Sequence, residues 1–291
     1  MSTKRETDEL SGVDTTGHEW DGIKELNHPL PRWWLWTLYG TIIWAIGYAI
    51  VYPAIPGLNG NSKGLWGWSS RADLRNEMVA ADAAKQAMTD AIGKADINAI
   101  LGDEKLRTFA VAAGASTFKV TCVQCHGSGA QGRPGYPNLN DDDWLWGGKP
   151  EDIVATLSHG VRYTADNDTR QLPMPAFGKD GTLTAEQIDQ TANYVLQLAN
   201  LEHDNDKATK GAAIFAEQCA ACHGDTGEGG KTLGAPRLND SIWLYGNTLA
   251  DVTAQINNPK QGVMPAWLPR LGETKVKELA AYVLSLGGGQ K

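Results

Sequence analysis

The longest apolar run of the chain is Trp33 to Tyr52, WWLWTLYGTIIWAIGYAIVY, twenty residues without a charge. A helix of that length rises about 30 Å, the thickness of a hydrocarbon core. Arg32 bounds the run on one side, and Pro53 and Pro56 end it on the other. It starts well inside the chain, is too long for a signal peptide and is followed by no close A-x-A cleavage site, so residues 33–55 read as a retained membrane anchor. Arg71 to Met88 is rich in alanine and free of glycine, which predicts a helix within a membrane-proximal linker over residues 56–104. Further on, apolar positions recur at helical spacing in Ile188, Tyr194, Val195 and Leu198, and in Val276, Leu279, Ala280 and Val283. Little there alternates as a strand would. The expected class is all-α.

The part beyond the anchor is written twice. Gly114, Phe118, Cys122 and His126 return 97 residues later as Gly211, Phe215, Cys219 and His223. Leu139-Asn140-Asp141 matches Leu238-Asn239-Asp240, and Trp144-Leu145-Trp146-Gly147 matches Trp243-Leu244-Tyr245-Gly246. Both copies close on a similar helix, with Tyr194-Val195-Leu196 against Tyr282-Val283-Leu284. Two copies predict tandem domains, over residues 105–201 and 207–287, joined by the polar stretch from Glu202 to Lys207.

Composition narrows the function. Lys and Arg number 26 against 34 Asp and Glu, a net charge of −8, the opposite balance to that of a nucleic-acid binder. Seven of the eleven Trp fall between Trp20 and Trp68, around the anchor, where aromatic rings favour a lipid–water boundary. The 33 glycines point to loop-rich domains, and helical units this small need something besides side chains at their centres.

Cys122-Val123-Gln124-Cys125-His126 and Cys219-Ala220-Ala221-Cys222-His223 supply it: C-x-x-C-H is the attachment pattern of c-type haem. Each cysteine forms a thioether to the porphyrin, and the adjacent histidine presents a nitrogen to the iron. A thioredoxin-like pair would need a βαβ setting, and one zinc site would need ligands from both repeats. Leu172-Pro173-Met174-Pro175 and Val263-Met264-Pro265 place a methionine in a proline-stiffened loop of each copy. Met174 and Met264 are therefore the expected sixth ligands, since His/Met ligation is common in cytochromes c and raises the potential. His159 has Asn258 as its counterpart and is read as a hydrogen-bonding or surface residue. A carbonyl in Tyr136–Leu139 or Ala235–Leu238 is a candidate acceptor for the free N–H of each histidine. Trp144, Trp146, Trp243 and Tyr245 are candidates to pack on a haem edge or bond a propionate. Covalent haem c is assembled outside the bacterial cytoplasm, so the repeats are expected in the periplasm and residues 1–32 in the cytoplasm. Lys4, Arg5, Lys24 and Arg32 before the span, against Lys63, Arg71 and Arg75 after it, lean the same way.

The stretch Asp21-Gly22-Ile23-Lys24-Glu25-Leu26-Asn27-His28-Pro29-Leu30-Pro31-Arg32-Trp33-Trp34 resembles the pre-anchor motif of the dihaem subunit III (FixP/CcoP) of cbb3-type cytochrome c oxidases. The single anchor and tandem cytochrome c domains are similar to that family over nearly the whole chain. The resemblance implies an electron-transfer subunit in the inner membrane, without a catalytic site of its own, within a proton-pumping oxidase. Its partners would be a donor cytochrome c or cytochrome bc complex, the monohaem cytochrome c subunit, the catalytic subunit and membrane lipid. By motif match, Cys122, Cys125, Cys219 and Cys222 would attach two haems c, with His126 and His223 proximal and Met174 and Met264 distal. In this family the methionines may be exchanged between domains. Spacings of 48 residues from His126 to Met174 and 41 from His223 to Met264 allow each to serve its own. A free membrane-tethered dihaem carrier, a dihaem peroxidase or gas-binding cytochrome, and a purely structural assembly subunit are the competing readings.

Overall fold

The computed structural model describes residues 6–58 and 60–289, which fall into two compact units, residues 1–82 and 83–291.

In the first unit, β1 (Thr15–Trp20) and β2 (Ile23–Leu26) form an antiparallel hairpin. Asp21 (φ 50°) and Gly22 (φ 85°) both lie in the left-handed region that a two-residue type I′ turn demands. Helix α1 (Arg32–Val51) is long and apolar enough to cross a membrane, and none of its residues is buried. Its two threonines are satisfied within the helix: the Thr37 hydroxyl donates to Trp33 O at 2.9 Å, and that of Thr41 to Leu38 O at 2.8 Å. At its end the chain turns back through β3 (Pro56–Gly57) and β4 (Gly60–Asn61), so that Leu65 N–H and Trp66 N–H donate to the free carbonyls of Ile50 and Val51. Gly64 makes that return possible, since a Cβ there would lie 2.3 Å from Val51 O. Trp44, Tyr48 and Tyr52 stack in sequence, and Trp66 and Trp68 meet Tyr52 edge-on. The all-α class holds, with these two hairpins as the paired strands among the described residues.

Helix α2 (Ser70–Lys94) leads into the second unit, followed by α3 (Ile97–Gly102) and α4 (Glu104–Thr121). The short turn α5 (Val123–His126), then α6 (Pro150–His159) and α7 (Ala185–Leu198), complete the first copy. The second comprises α8 (Asn205–Gln218), α9 (Ala220–His223), α10 (Leu249–Asn257), α11 (Leu268–Leu271) and α12 (Glu273–Ser285). Aspartates cap the equivalent helices: Asp103 accepts from Lys105 N and Leu106 N, and Asp204 from Asp206 N and Lys207 N.

The packed cores do not follow the two copies of the sequence. In one core α12, the last helix of the second copy, crosses α4, the first helix of the first, and α3, α6 and α11 close around them. In the other, α7 from the first copy crosses α8 from the second, with α10 alongside. Both crossings use the same device. A Cβ on Gly114 would lie 2.1 Å from Glu278 O, and one on Gly211 2.1 Å from Gln190 O, so only glycine admits such an approach. One turn later an aromatic pair fills the seam: Phe118 with Tyr282 and Phe215 with Tyr194, each at 5.2 Å between centroids. The first core also takes in Ile92 at the end of α2 and Ile97 and Ile100 of α3, all buried. Buried Lys277 donates to Gly93 O (3.0 Å) and Ala95 O (2.8 Å), closing the C-terminus of α2 with a positive charge.

Candidate metal centres

Each C-x-x-C-H run forms one tight helical turn directly after a core helix. Cys122 N–H continues α4 by donating to Phe118 O, and His126 N–H donates to Cys122 O at 2.9 Å. The second run repeats this, with Cys219 N–H to Phe215 O and His223 N–H to Cys219 O at 3.0 Å. Gly127 and Gly224, both at φ 81°, end the turns. Cysteines three apart and the following histidine therefore emerge from one short helical segment, the arrangement a single porphyrin needs.

The first cysteine of each run is poorly placed for thiolate chemistry. Burial pushes Cys122 up, and Cys219 up to about 11. A redox pair or a zinc thiolate needs the opposite shift. The histidines, in contrast, are prepared as neutral ligands. His126 Nδ1 lies 3.0 Å from Pro137 O and His223 Nδ1 2.9 Å from Pro236 O. A carbonyl can only accept, so Nδ1 carries the proton and Nε2 presents its lone pair. Burial holds both imidazoles below the usual histidine range, with the proline carbonyls pulling the other way. These are the carbonyls the sequence pointed to.

Met264 packs in the core that contains Cys122, and Met174 in the core that contains Cys219. Backbone hydrogen bonds hold the first pairing. Val161 and Met264 exchange two, each 2.9 Å, and Trp267 N–H donates to Leu157 O at 2.9 Å. Gly160, at φ 70°, permits this: a Cβ would lie 2.1 Å from Met264 O. On the other side Lys179 N–H donates to Asn257 O, and Gln261 Nε2 donates to Met174 O at 2.9 Å. The chain crosses between cores after α6 and again after α10, carrying each methionine away from the C-x-x-C-H run of its own copy.

The remaining candidates separate by environment. Trp144 Nε1 donates to Asp141 O at 3.0 Å and to Gly288 O. Its counterpart Trp243 Nε1 is buried without a hydrogen-bond partner among the described residues. An orphaned buried donor in the core that also takes in Cys219 suits a porphyrin carboxylate, so the residues present fit the group that the motif implies. Trp146 lies against Gly234, and the Tyr245 hydroxyl accepts from Gly262 N–H at 2.9 Å. His159 Nδ1 stands 3.3 Å from both Asp166 oxygens. Sequence reading passed over Arg162 and Gln261, which hold the methionine segments; both are polar residues just after a helix end, a pattern with no local signature.

Two family models match the chain. Residues 12–59 match the family model for the N-terminal domain of cytochrome oxidase-cbb3, FixP. Residues 109–195 and 206–283 match that for cytochrome c oxidase, cbb3-type, subunit III. The chain is 54% identical over 286 residues to the cbb3-type cytochrome c oxidase subunit FixP of Sinorhizobium medicae, covering 98% of each chain. It is 49% identical over 290 residues to subunit CcoP of Cereibacter sphaeroides, covering 100% of each, and 48% identical over 291 residues to subunit FixP of Bradyrhizobium diazoefficiens, again 100% of each.

Proposed function

The chain belongs to the FixP/CcoP family of cbb3-type cytochrome c oxidase subunits, and we propose that it carries two haems c, one in each core of its second unit. It is a membrane-anchored cytochrome c that transfers electrons within such an oxidase. Cys122 and Cys125 attach one haem and Cys219 and Cys222 the other, with His126 and His223 as proximal ligands. The distal ligands are exchanged: Met264 serves the centre of His126, and Met174 that of His223. The observation that carries this reading is the pair of cores in which each C-x-x-C-H turn packs with the methionine of the other copy.

Bound there, a haem supplies a one-electron Fe(III)/Fe(II) couple. The protein's part is to keep that couple rigid. Pro137 O and Pro236 O fix the imidazole tautomer. The Val161–Met264 bridge and the Gln261–Met174 bond hold the methionine backbone in place. A histidine and a methionine held for each haem would leave no position for oxygen. Electrons then enter from a donor cytochrome c or cytochrome bc complex and leave through the monohaem subunit to the catalytic subunit. Both centres would work in the periplasm, tethered to the inner membrane; the requirement that haem c is attached outside the bacterial cytoplasm supports this orientation.

The full chain is expected to bind two haems by the pyridine haemochrome assay and to show a Met–iron band near ~695 nm. In a Cys219→Ala/Cys222→Ala background, Met264→Leu should abolish that band and Met174→Leu should leave it. The reverse result would mean that each copy supplies its own methionine.

A further inference from the structure

The two crossovers between the cores are built alike but differ in charge. At the offset of 99 that relates Trp144 to Trp243, Arg162 after α6 corresponds to Gln261 after α10. Arg162 Nε donates to Gly262 O at 2.8 Å, two residues before Met264, while Gln261 Nε2 donates to Met174 O at 2.9 Å. Each ties down the methionine segment arriving from the other copy. One is a cation and the other is neutral.

Arg162 is held there against a conformational cost. Its φ of 51° is left-handed, unfavourable for a residue with a Cβ. The position is fixed by its N–H to Arg170 O at 2.7 Å and by the Val161–Met264 bridge beside it. The guanidinium is half-buried, which pushes it below its ordinary value, and no carboxylate pairs with it among the described residues. Arg170, the other arginine of this crossover, has Asp152 at 3.5 Å. A fixed cation in a partly desolvated setting favours the reduced iron, which carries one positive charge fewer.

We propose that Arg162 is a potential-setting residue: its fixed charge raises the reduction potential of the centre built on His126 and Met264 above that of the centre built on His223 and Met174. The electron therefore rests preferentially on the first centre. This rests on the two-haem reading above.

The test is an optical redox titration of the full chain in detergent, after haem quantitation. Arg162→Gln should lower the upper wave and leave the lower one, shifting the electron's distribution between the haems about tenfold, or ~59 mV for one electron. Arg162→Lys keeps the charge and should retain most of the separation. Gln261→Arg should raise the lower wave and narrow the gap from the other side. The proposal is overturned if Arg162→Gln moves neither wave or moves the lower one, or if Arg162→Lys falls as far as Arg162→Gln. One haem per chain would instead overturn the two-haem reading, and this proposal with it.

Discussion

The two cores of the second unit share a plan and differ in what surrounds it. Both have a glycine at the helix crossing, an aromatic pair one turn on, a C-x-x-C-H turn and a methionine from the other copy. The first is further wrapped by the end of α2 and by α3, clamped by Lys277, and has its loop tryptophan bonded to Gly288 near the chain's end. Among the described residues the second has none of these additions, and its tryptophan donor has no hydrogen-bond partner. A duplicated unit thus keeps the residues that touch the metal site and the helix seam, while the elements outside set the two halves apart.

The sharpest way to break the shared plan is at the glycines. Gly114→Ala and Gly211→Ala each force a Cβ against a carbonyl at 2.1 Å, and each should cost about 3 kcal/mol in denaturant melts. If the cores are exchanged as described, Gly114→Ala loosens α12 and Gly211→Ala loosens α7, which amide hydrogen exchange would resolve. Protection lost instead between α4 and α7 would contradict the exchange.

A smaller effect separates the cores. Lys277→Met leaves the carbonyls of Gly93 and Ala95 without their donor and should destabilise by about 2 kcal/mol. Exchange should quicken in α2 and α12 but not in α7 and α8. Uniform quickening would show that the additional elements belong to both cores.

The smallest concerns the loops. Asp143 stands where the second copy has Ile242. Burial, then Asp240 and Asp141, raise its carboxyl to about 6 from an ordinary 3.8. The folded state therefore holds that proton more tightly than the unfolded chain. Its contribution to stability is full below pH 3.8 and is lost as pH rises through about 6. Asp143→Asn should stabilise the protein at pH 7 by about 1 kcal/mol after solvent screening, and flatten its stability between pH 4 and 7. A melting temperature unchanged at pH 7 would count against a strained carboxylate there.

Much of the site was legible because its signals are local. The anchor is a single uncharged run, each C-x-x-C-H pattern folds within one turn, and the proline carbonyls lie 11 and 13 residues beyond their histidines. The β1–β2 hairpin was equally legible from Asp21-Gly22 but was read only as part of a family motif. Arg162 and Gln261 were not, because their meaning depends on which segment crosses over them.

From order and spacing alone, the chain determined two attachment turns, two stiffened methionines, one anchor and a repeated helix seam. Which methionine shares a core with which C-x-x-C-H turn was decided by the tertiary structure. From His126, Met174 lies 48 residues away and Met264 lies 138 away, both counted along the chain. Loop-closure entropy grows only with the logarithm of length, so the longer closure costs about 1 kcal/mol more. So small a difference is readily outweighed by the packing of α12 on α4 and of α7 on α8, each seated by its glycine and its aromatic pair.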